Sequence, residues 1–283
     1  MAPMDPALKD KNRLLSTILS RLGRVIVAYS GGVDSAFLAA SAHDTLGSNA
    51  LAATAVSPSL AERELAGAKE LARAMGWNHR TVVTHEVDRD EYARNSGDRC
   101  FWCKSELFDV LRPLAREMSA TVVTGTNLDD LSEYRPGLRA ADDNSVCTPL
   151  ADAGMTKSDV RTLSAGMGLP TADKPASPCL ASRFAYGVRV TSEGLRRIDR
   201  AEEALRELGF RVLRVRDHGD LARIEVPPEE IPDVTAQRAI IERALKELGF
   251  TFVTVDLGGF RSGSLNASLG PPRIRRDEQP GLG

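Results

Sequence analysis

Over the first two-thirds of the chain, short apolar, β-branched runs alternate with amphipathic helical patterns. RVIVAYS (24–30) has the continuous apolar character of a strand buried on both faces, and the DSAFLAASAHDTL after it reads as a helix. The order then repeats. ALAATAVSPS (50–59) precedes the helical LAERELAGAKELARAMG, and HRTVVTHEV (79–87) precedes KSELFDVLRPLAREMSA, which leads into TVVTGTN (121–127). One more helix begins near Thr156 and is stopped by Gly168 and Pro170. This alternation predicts an α/β fold, with residues 1–170 forming a doubly wound parallel sheet of Rossmann-like type with helices on both faces.

The pattern breaks at TADKPASPCLASRFAYG (171–187), which carries prolines and a cysteine but no long apolar run, and reads as a linker. Beyond it lies a weak internal repeat. EEALRELGFRVLRVR (202–216) and ERALKELGFTFVTVD (242–256) are each a helix, an LGF stop and a strand, with the strand ARIEVP (222–227) between them. The order predicts a second, smaller α+β domain over 188–266, with helices on one face of a mostly antiparallel sheet. The Pro- and Gly-rich 267–283 reads as a flexible tail.

The 283 residues fit one large domain or two modest ones, and 42% hydrophobic with 27% charged residues is ordinary globular usage. A net charge of −2 makes nucleic acid an unexpected partner. No apolar run is long enough to span a membrane, and MAPMDPALKDKNRLL lacks the apolar stretch of a signal peptide, so a cytoplasmic protein without a membrane partner is expected. In a reducing compartment the four cysteines point to metal or catalytic thiols rather than disulfides.

Two of them, Cys100 and Cys103, form a CxxC in DRCFWCKSEL (98–107) at the start of a helix. Spacing alone leaves three readings about equal: half of a zinc site completed by Cys147 or His85, a redox pair, or iron–sulfur ligands. Cys147, in SVCTPL, has no partner at motif spacing and is expected in the core. Arg214 and Arg216 alternate along a strand, so both leave one face. Without matching carboxylates beside them they suit a phosphate, although exposed solubilising arginines would look the same.

VIVAYSGGVDSAFL places Ser30, Gly31, Gly32, Asp34 and Ser35 between a strand and a helix. The glycines let backbone approach an anion, the helix amides point at it, and the serines add donors. Asp34 is placed to hold Mg²⁺ beside the phosphates. No Walker A sequence is present.

The S-G-G-V-D-S run resembles the loop of the PP-loop ATP pyrophosphatases, which cleave ATP between its α- and β-phosphates and adenylate a substrate oxygen. The resemblance implies that Ser57 and Gly125, each at a strand end, lie by the adenosine. RCFWCK (99–104), GTNLDDLSEYRPG (125–137), PCLASRF (178–184), RVRDHG (214–219), ARIEV (222–226) and GGFRSGSLN (258–266) narrow this further. Together they resemble the LarE family of ATP-dependent sacrificial sulfur transferases, from about Leu14 to about Asn266.

That resemblance implies an enzyme that adenylates the carboxylates of a pyridinium-3,5-dicarboxylate mononucleotide and converts them to thiocarboxylates. The product serves the nickel-pincer nucleotide cofactor of lactate racemase. Cys179 matches the cysteine that single-cysteine members give up as sulfur donor, becoming dehydroalanine. Cys100 and Cys103 depart from that pattern and resemble a three-cysteine form. That form implies that Cys100, Cys103 and Cys179 hold a [4Fe–4S] cluster that a sulfide source recharges. Ser182, Arg183, Arg214 and Arg216 are implied to bind the substrate phosphate. Glu203 and Glu225 match acidic positions near the reaction site, and Asp129 and Asp130 either help Mg²⁺ or cap a helix. A homo-oligomer, a hexamer in similar members, is implied as well. The competing readings are a tRNA thiolase of the same superfamily and a non-catalytic nucleotide sensor.

Overall fold

The computed structural model describes residues 5–131, 140–141 and 146–261, so the expected tail at 267–283 lies outside the described residues. The chain divides into two compact units, Met1–Phe184 with Arg189–Asp199, and Ala185–Val188 with Arg200–Gly283. Of the stretch read as a linker, 171–184 falls in the first unit and 185–187 in the second.

In the first unit β1 (Val25–Ala28), β2 (Ala50–Val56), β3 (His79–Val83) and β4 (Thr121–Thr124) form one parallel sheet in the order β3-β2-β1-β4. Alternate residues of β1 feed two cores, as the two-residue period of a strand requires. Val25 and Val27 pack with Phe37, Leu38 and Leu71 of the helices Val33–Leu46 and Glu62–Ala74, and with Leu15 and Leu19 of the first helix, Pro6–Leu22. Ile26 points the other way, joining Leu51 and Ala53 against Leu107, Phe108, Leu111 and Leu114 of the helix Arg99–Met118. The doubly wound parallel sheet read from the periodicity is therefore present.

The chain steps outward from β1 to β3 and then returns to the far side of β1. A right-handed connection in the reverse direction must cross the opposite face, which is why Arg99–Met118 lies there. The winding reverses between β1 and β4, and such a reversal opens a crevice at the strand carboxyl ends.

Thr156 opens the helix Lys157–Gly166 through a reciprocal cap. Its hydroxyl accepts from the Asp159 amide, and its own amide donates to the Asp159 carboxylate. Gly168, at φ 71°, follows the end of that helix.

In the second unit β5 (Arg214–Asp217), β6 (Leu221–Glu225) and β7 (Phe252–Val255) lie in the order β5-β6-β7. The sheet is mixed rather than mostly antiparallel: β5 and β6 are antiparallel, whereas β6 and β7 run parallel. The cause is the connection after β6. It passes through the helices Ile231–Ala236 and Arg238–Glu247 and so returns the chain in the same direction. The repeated LGF is one helix stop used twice. Phe210 and Phe250 donate backbone N–H to the carbonyls of Leu205 and Leu245, and both rings enter the core with Leu213, Val215 and Ile224.

Gly125 follows β4, where a Cβ would stand 2.8 Å from the Ser35 amide nitrogen and 2.9 Å from the Asp34 carbonyl carbon. Both are backbone atoms that cannot swing aside. Gly125→Ala is expected to lower stability by about 1–3 kcal/mol and to weaken ATP binding, read from urea unfolding midpoints and nucleotide titration of the same preparations.

Candidate active site

The loop after β1 is shaped by its own serines. The Ser30 amide donates to Ser35 Oγ at 3.2 Å, Ser30 Oγ lies 3.1 Å from Ser35 Oγ, and Ser35 Oγ donates to the Gly32 carbonyl at 3.1 Å. Gly31 holds φ +74°, and a Cβ there would meet the Cβ of Ala68 at 3.0 Å, so glycine is required on both counts. Gly32 caps the helix Val33–Leu46 without a side-chain bond, leaving the first-turn amides directed at the crevice.

Asp34 belongs to a closed circuit of hydrogen bonds. Its Oδ1 accepts from Asn127 Nδ2 at 3.2 Å, and Asn127 Oδ1 accepts from the Asp129 amide at 3.0 Å. Asp129 Oδ2 accepts from the Lys157 amide at 2.8 Å, and the Lys157 ammonium returns to Asp34 Oδ2 in a short ion pair. Asp130 Oδ2 accepts the Asn127 amide at 3.1 Å. Of the two readings left open for Asp129 and Asp130, these bonds match the capping one. Lys157 and Asn127 were not singled out from the sequence. The only earlier trace of Lys157 is its place just after the helix cap, 123 residues from Asp34.

Ser57 stands just past β2. It donates to Glu86 Oε1, accepts the Ser59 amide at 3.2 Å, and lines a cleft of about 380 Å³ with Val56, Pro58, Thr84 and His85. Glu86 is 2% exposed, and its Oε2 has no partner among the described residues.

The segment carrying Cys179 is pinned at the same edge. Leu180 donates its amide to the Ser59 carbonyl at 2.9 Å, and the Ser59 hydroxyl meets Tyr92 OH at 2.7 Å. Arg183, expected to close on an anion, is buried, with Nη1 donating to the carbonyls of Pro178 and Cys179 and to Ser182 Oγ. It braces the turn Leu180–Arg183 behind Cys179.

Cys100 and Cys103 sit one turn apart at the start of Arg99–Met118. A helix start normally stabilises a thiolate, but burial dominates at Cys103. Burial pushes that thiol far up, and Cys179, Glu86 and Cys100 push it further. Burial raises the Tyr92 hydroxyl in the same way, followed by Cys179 and Cys103. The three thiols therefore share one electrostatic neighbourhood. Among the described residues no three His, Cys, Asp or Glu side chains are close enough to hold a single metal ion. Cys147 packs against the main core, and β4 bridges to it through Val123. His85 is exposed, 3.6 Å from Asp88.

In the second unit Arg214 and Arg216 leave the face opposite Val215, which enters the core. The expectation of arginines without matching carboxylates is corrected for Arg216. Its Nε and Nη2 both donate to Glu225 Oε2, at 2.9 and 2.7 Å, and Arg223 Nη2 reaches Glu225 Oε1 at 2.9 Å. The antiparallel register sets Glu225 opposite Arg214 and diagonal to Arg216, a relation no single strand reveals. Glu225 is fully buried and is the counter-ion that lets Arg216 be buried. Arg214 lies over the Phe260 ring at 5.2 Å. On the preceding helix the buried acid is Glu202, bonded to the Val215 amide and to Arg206, while Glu203 is exposed.

A glycine–serine loop at the reversal point of a parallel sheet, with an acid at its helix start, defines a nucleotide-using α/β enzyme domain. The asparagine synthase family matches residues 20–108, which span β1 to β3. An uncharacterized protein of Synechocystis sp. is 46% identical over 93% of this chain and 99% of its own. The pyridinium-3,5-bisthiocarboxylic acid mononucleotide synthase of Lactiplantibacillus plantarum is 38% identical over 93% of this chain and 96% of its own. The tRNA-specific 2-thiouridylase MnmA of Azorhizobium caulinodans is 32% identical, over 54% of this chain and 49% of its own. The chain belongs to the LarE family of ATP-dependent sulfur-transferring enzymes. No described helix is long and apolar enough to cross a membrane.

Cys100 and Cys179 are exposed, whereas burial raises the Cys103 and Cys147 thiols. With limiting iodoacetamide at neutral pH, Cys100 and Cys179 are expected to be alkylated about tenfold or more faster than the other two, resolved by peptide mass spectrometry.

Proposed function

We propose that the protein uses ATP to adenylate a ring carboxylate of a pyridinium-3,5-dicarboxylate mononucleotide and replaces an oxygen of that carboxylate with sulfur. The observation that carries this reading is that the Cys179 segment is fastened, through the Leu180 amide and the Ser59 carbonyl, just past β2, the strand beside β1 whose end carries the phosphate loop. A nucleophilic sulfur and an ATP loop at one sheet edge are the two parts such chemistry requires.

The loop amides and serines bind the polyphosphate, and Ser57 and Gly125 border the adenosine. Asp34 is the residue to hold Mg²⁺, which draws charge from the leaving pyrophosphate. Lys157 must release the Asp34 carboxylate for this, and its ammonium is then free to meet phosphate charge. The substrate carboxylate attacks the α-phosphorus, pyrophosphate leaves, and a mixed anhydride remains. A carboxylate is a poor electrophile, but AMP is a good leaving group, so sulfur can add at the carbonyl carbon. If Cys179 is the donor, its Sγ displaces AMP. Loss of the Cα proton with cleavage of Cβ–Sγ then leaves a thiocarboxylate and dehydroalanine. Cys100, Cys103 and Cys179 are the residues that would hold a [4Fe–4S] cluster, which would supply transferable sulfide drawn from a sulfide source. In the second unit Arg214 binds the substrate phosphate while Glu225 holds Arg216, and in the first Arg183 braces the turn behind Cys179. A homo-oligomer, a hexamer as in similar members, and a cytoplasmic location complete the reading. The 2-thiouridylase likeness covers about half of each chain and supports shared adenylation chemistry. The net charge of −2 does not favour a tRNA substrate.

Purified protein with Mg-ATP and the dicarboxylate nucleotide should release AMP and pyrophosphate only when the nucleotide is present. Nucleotide-independent turnover would overturn the assignment. Whole-protein mass after one turnover separates the sulfur sources: loss of one sulfur and two hydrogens marks Cys179 as donor, whereas an unchanged mass marks sulfide. Asp34→Ala should retain its circular dichroism but release pyrophosphate about 100-fold more slowly. Arg214→Ala should weaken nucleotide-substrate affinity about tenfold while leaving ATP affinity unchanged, measured by calorimetry.

A further inference from the structure

Lys174 lies five residues before Cys179. Its ammonium donates to the carbonyl of Gly31 at 3.0 Å and to Glu64 Oε2 at 2.7 Å. Glu64, near the start of the helix Glu62–Ala74, uses its other oxygen to accept Ser177 Oγ at 3.1 Å. A continuous chain of bonds therefore runs from the phosphate loop, through Lys174 and Glu64, to Ser177, two residues before Cys179. The partners are far apart in sequence, Gly31 and Lys174 by 143 positions and Glu64 and Ser177 by 113.

The backbone of the segment has separate anchors. Arg161 donates to the carbonyls of Ala172 and Lys174, and Leu180 donates to Ser59. Fastening the segment to the domain does not by itself call for an ammonium aimed at the phosphate loop. The target matters because a peptide is planar: fixing the Gly31 carbonyl fixes the Gly32 N–H in the opposite direction. Lys174 thus sets the aim of a loop amide, and Glu64 passes the same restraint to the donor segment. Burial pushes the Glu64 carboxyl up, but the bonds and charge of Lys174, with Ser177 and Arg63, more than offset this, so Glu64 stays ionised at neutral pH.

We propose that Lys174, Glu64 and Ser177 are positioning residues that hold the donor segment in register with the occupied phosphate loop, so that the adenylate meets sulfur before water. The inference rests on the sulfur-transfer reading above. Without the register, water attacks the acyl-adenylate, returning carboxylate and AMP, and ATP is spent without product.

The test is the ratio of AMP released to thiocarboxylate formed, measured with thermal unfolding on the same samples. Ser177→Ala removes an exposed hydroxyl that donates to Glu64. It should leave pyrophosphate release near the wild-type rate and raise the ratio about tenfold. Lys174→Met should raise both the ratio and the KM for ATP, and Lys174→Arg should recover most of the coupling. If Lys174→Met fails to fold, Ser177→Ala and Glu64→Gln decide the matter alone. Wild-type ratios in Ser177→Ala and Glu64→Gln would overturn the relay while leaving the sulfur-transfer reading intact. A wild-type protein that forms no AMP from the dicarboxylate would instead remove that reading.

Discussion

The carboxyl edge of the parallel sheet depends on one close approach, that of the end of β4 to the phosphate loop. Gly125 brings the β4 connection against the backbone of Asp34 and Ser35 with no room for a side chain. From there Asn127 reaches Asp34, Asp129 reaches the start of Lys157–Gly166, and Lys157 closes the circuit. Each bond places the next residue within reach, so an error at Gly125 would spread around the ring. The ring also gives Asp34 a cationic partner in Lys157, which spares a half-buried carboxylate from standing alone.

The fold was largely legible in the sequence because strand and helix periods are local. The phosphate loop was legible for a related reason, since its serines and glycines act on one another within six residues. What escaped notice was made of distant pairs. Lys157 with Asp34 and Arg216 with Glu225 come together only through winding order and strand register. The choice between Glu202 and Glu203 turned on helix phase, because adjacent residues point about 100° apart and only one faces the core. The mixed second sheet escaped because strand direction depends on the route of the connection, not on the strand's own residues.

The cysteines illustrate competition between two local fields. A helix start favours a thiolate at Cys103, but removal from water and three nearby acidic groups favour the thiol, and they prevail. The cost falls on Cys103, since Cys100 and Cys179 stay exposed. In the second unit the charges meet by pairing: Arg216 and Arg223 share Glu225, and Arg223 lies 3.6 Å from Asp256.

Main-chain atoms and Arg183 hold the turn around Cys179. The carbonyls of Pro178 and Cys179, the amide of Leu180 and the amide of Ser182 all have partners that do not involve the thiol. A chain whose Cys179 had lost its sulfur would therefore keep its shape, its phosphate loop and its arginine cluster. Nothing in its folding would mark it as spent to a protease or chaperone that recognises exposed core. Such molecules would persist beside fresh ones and compete with them for the same nucleotides. The output of a population would then be governed by its age distribution as much as by its concentration.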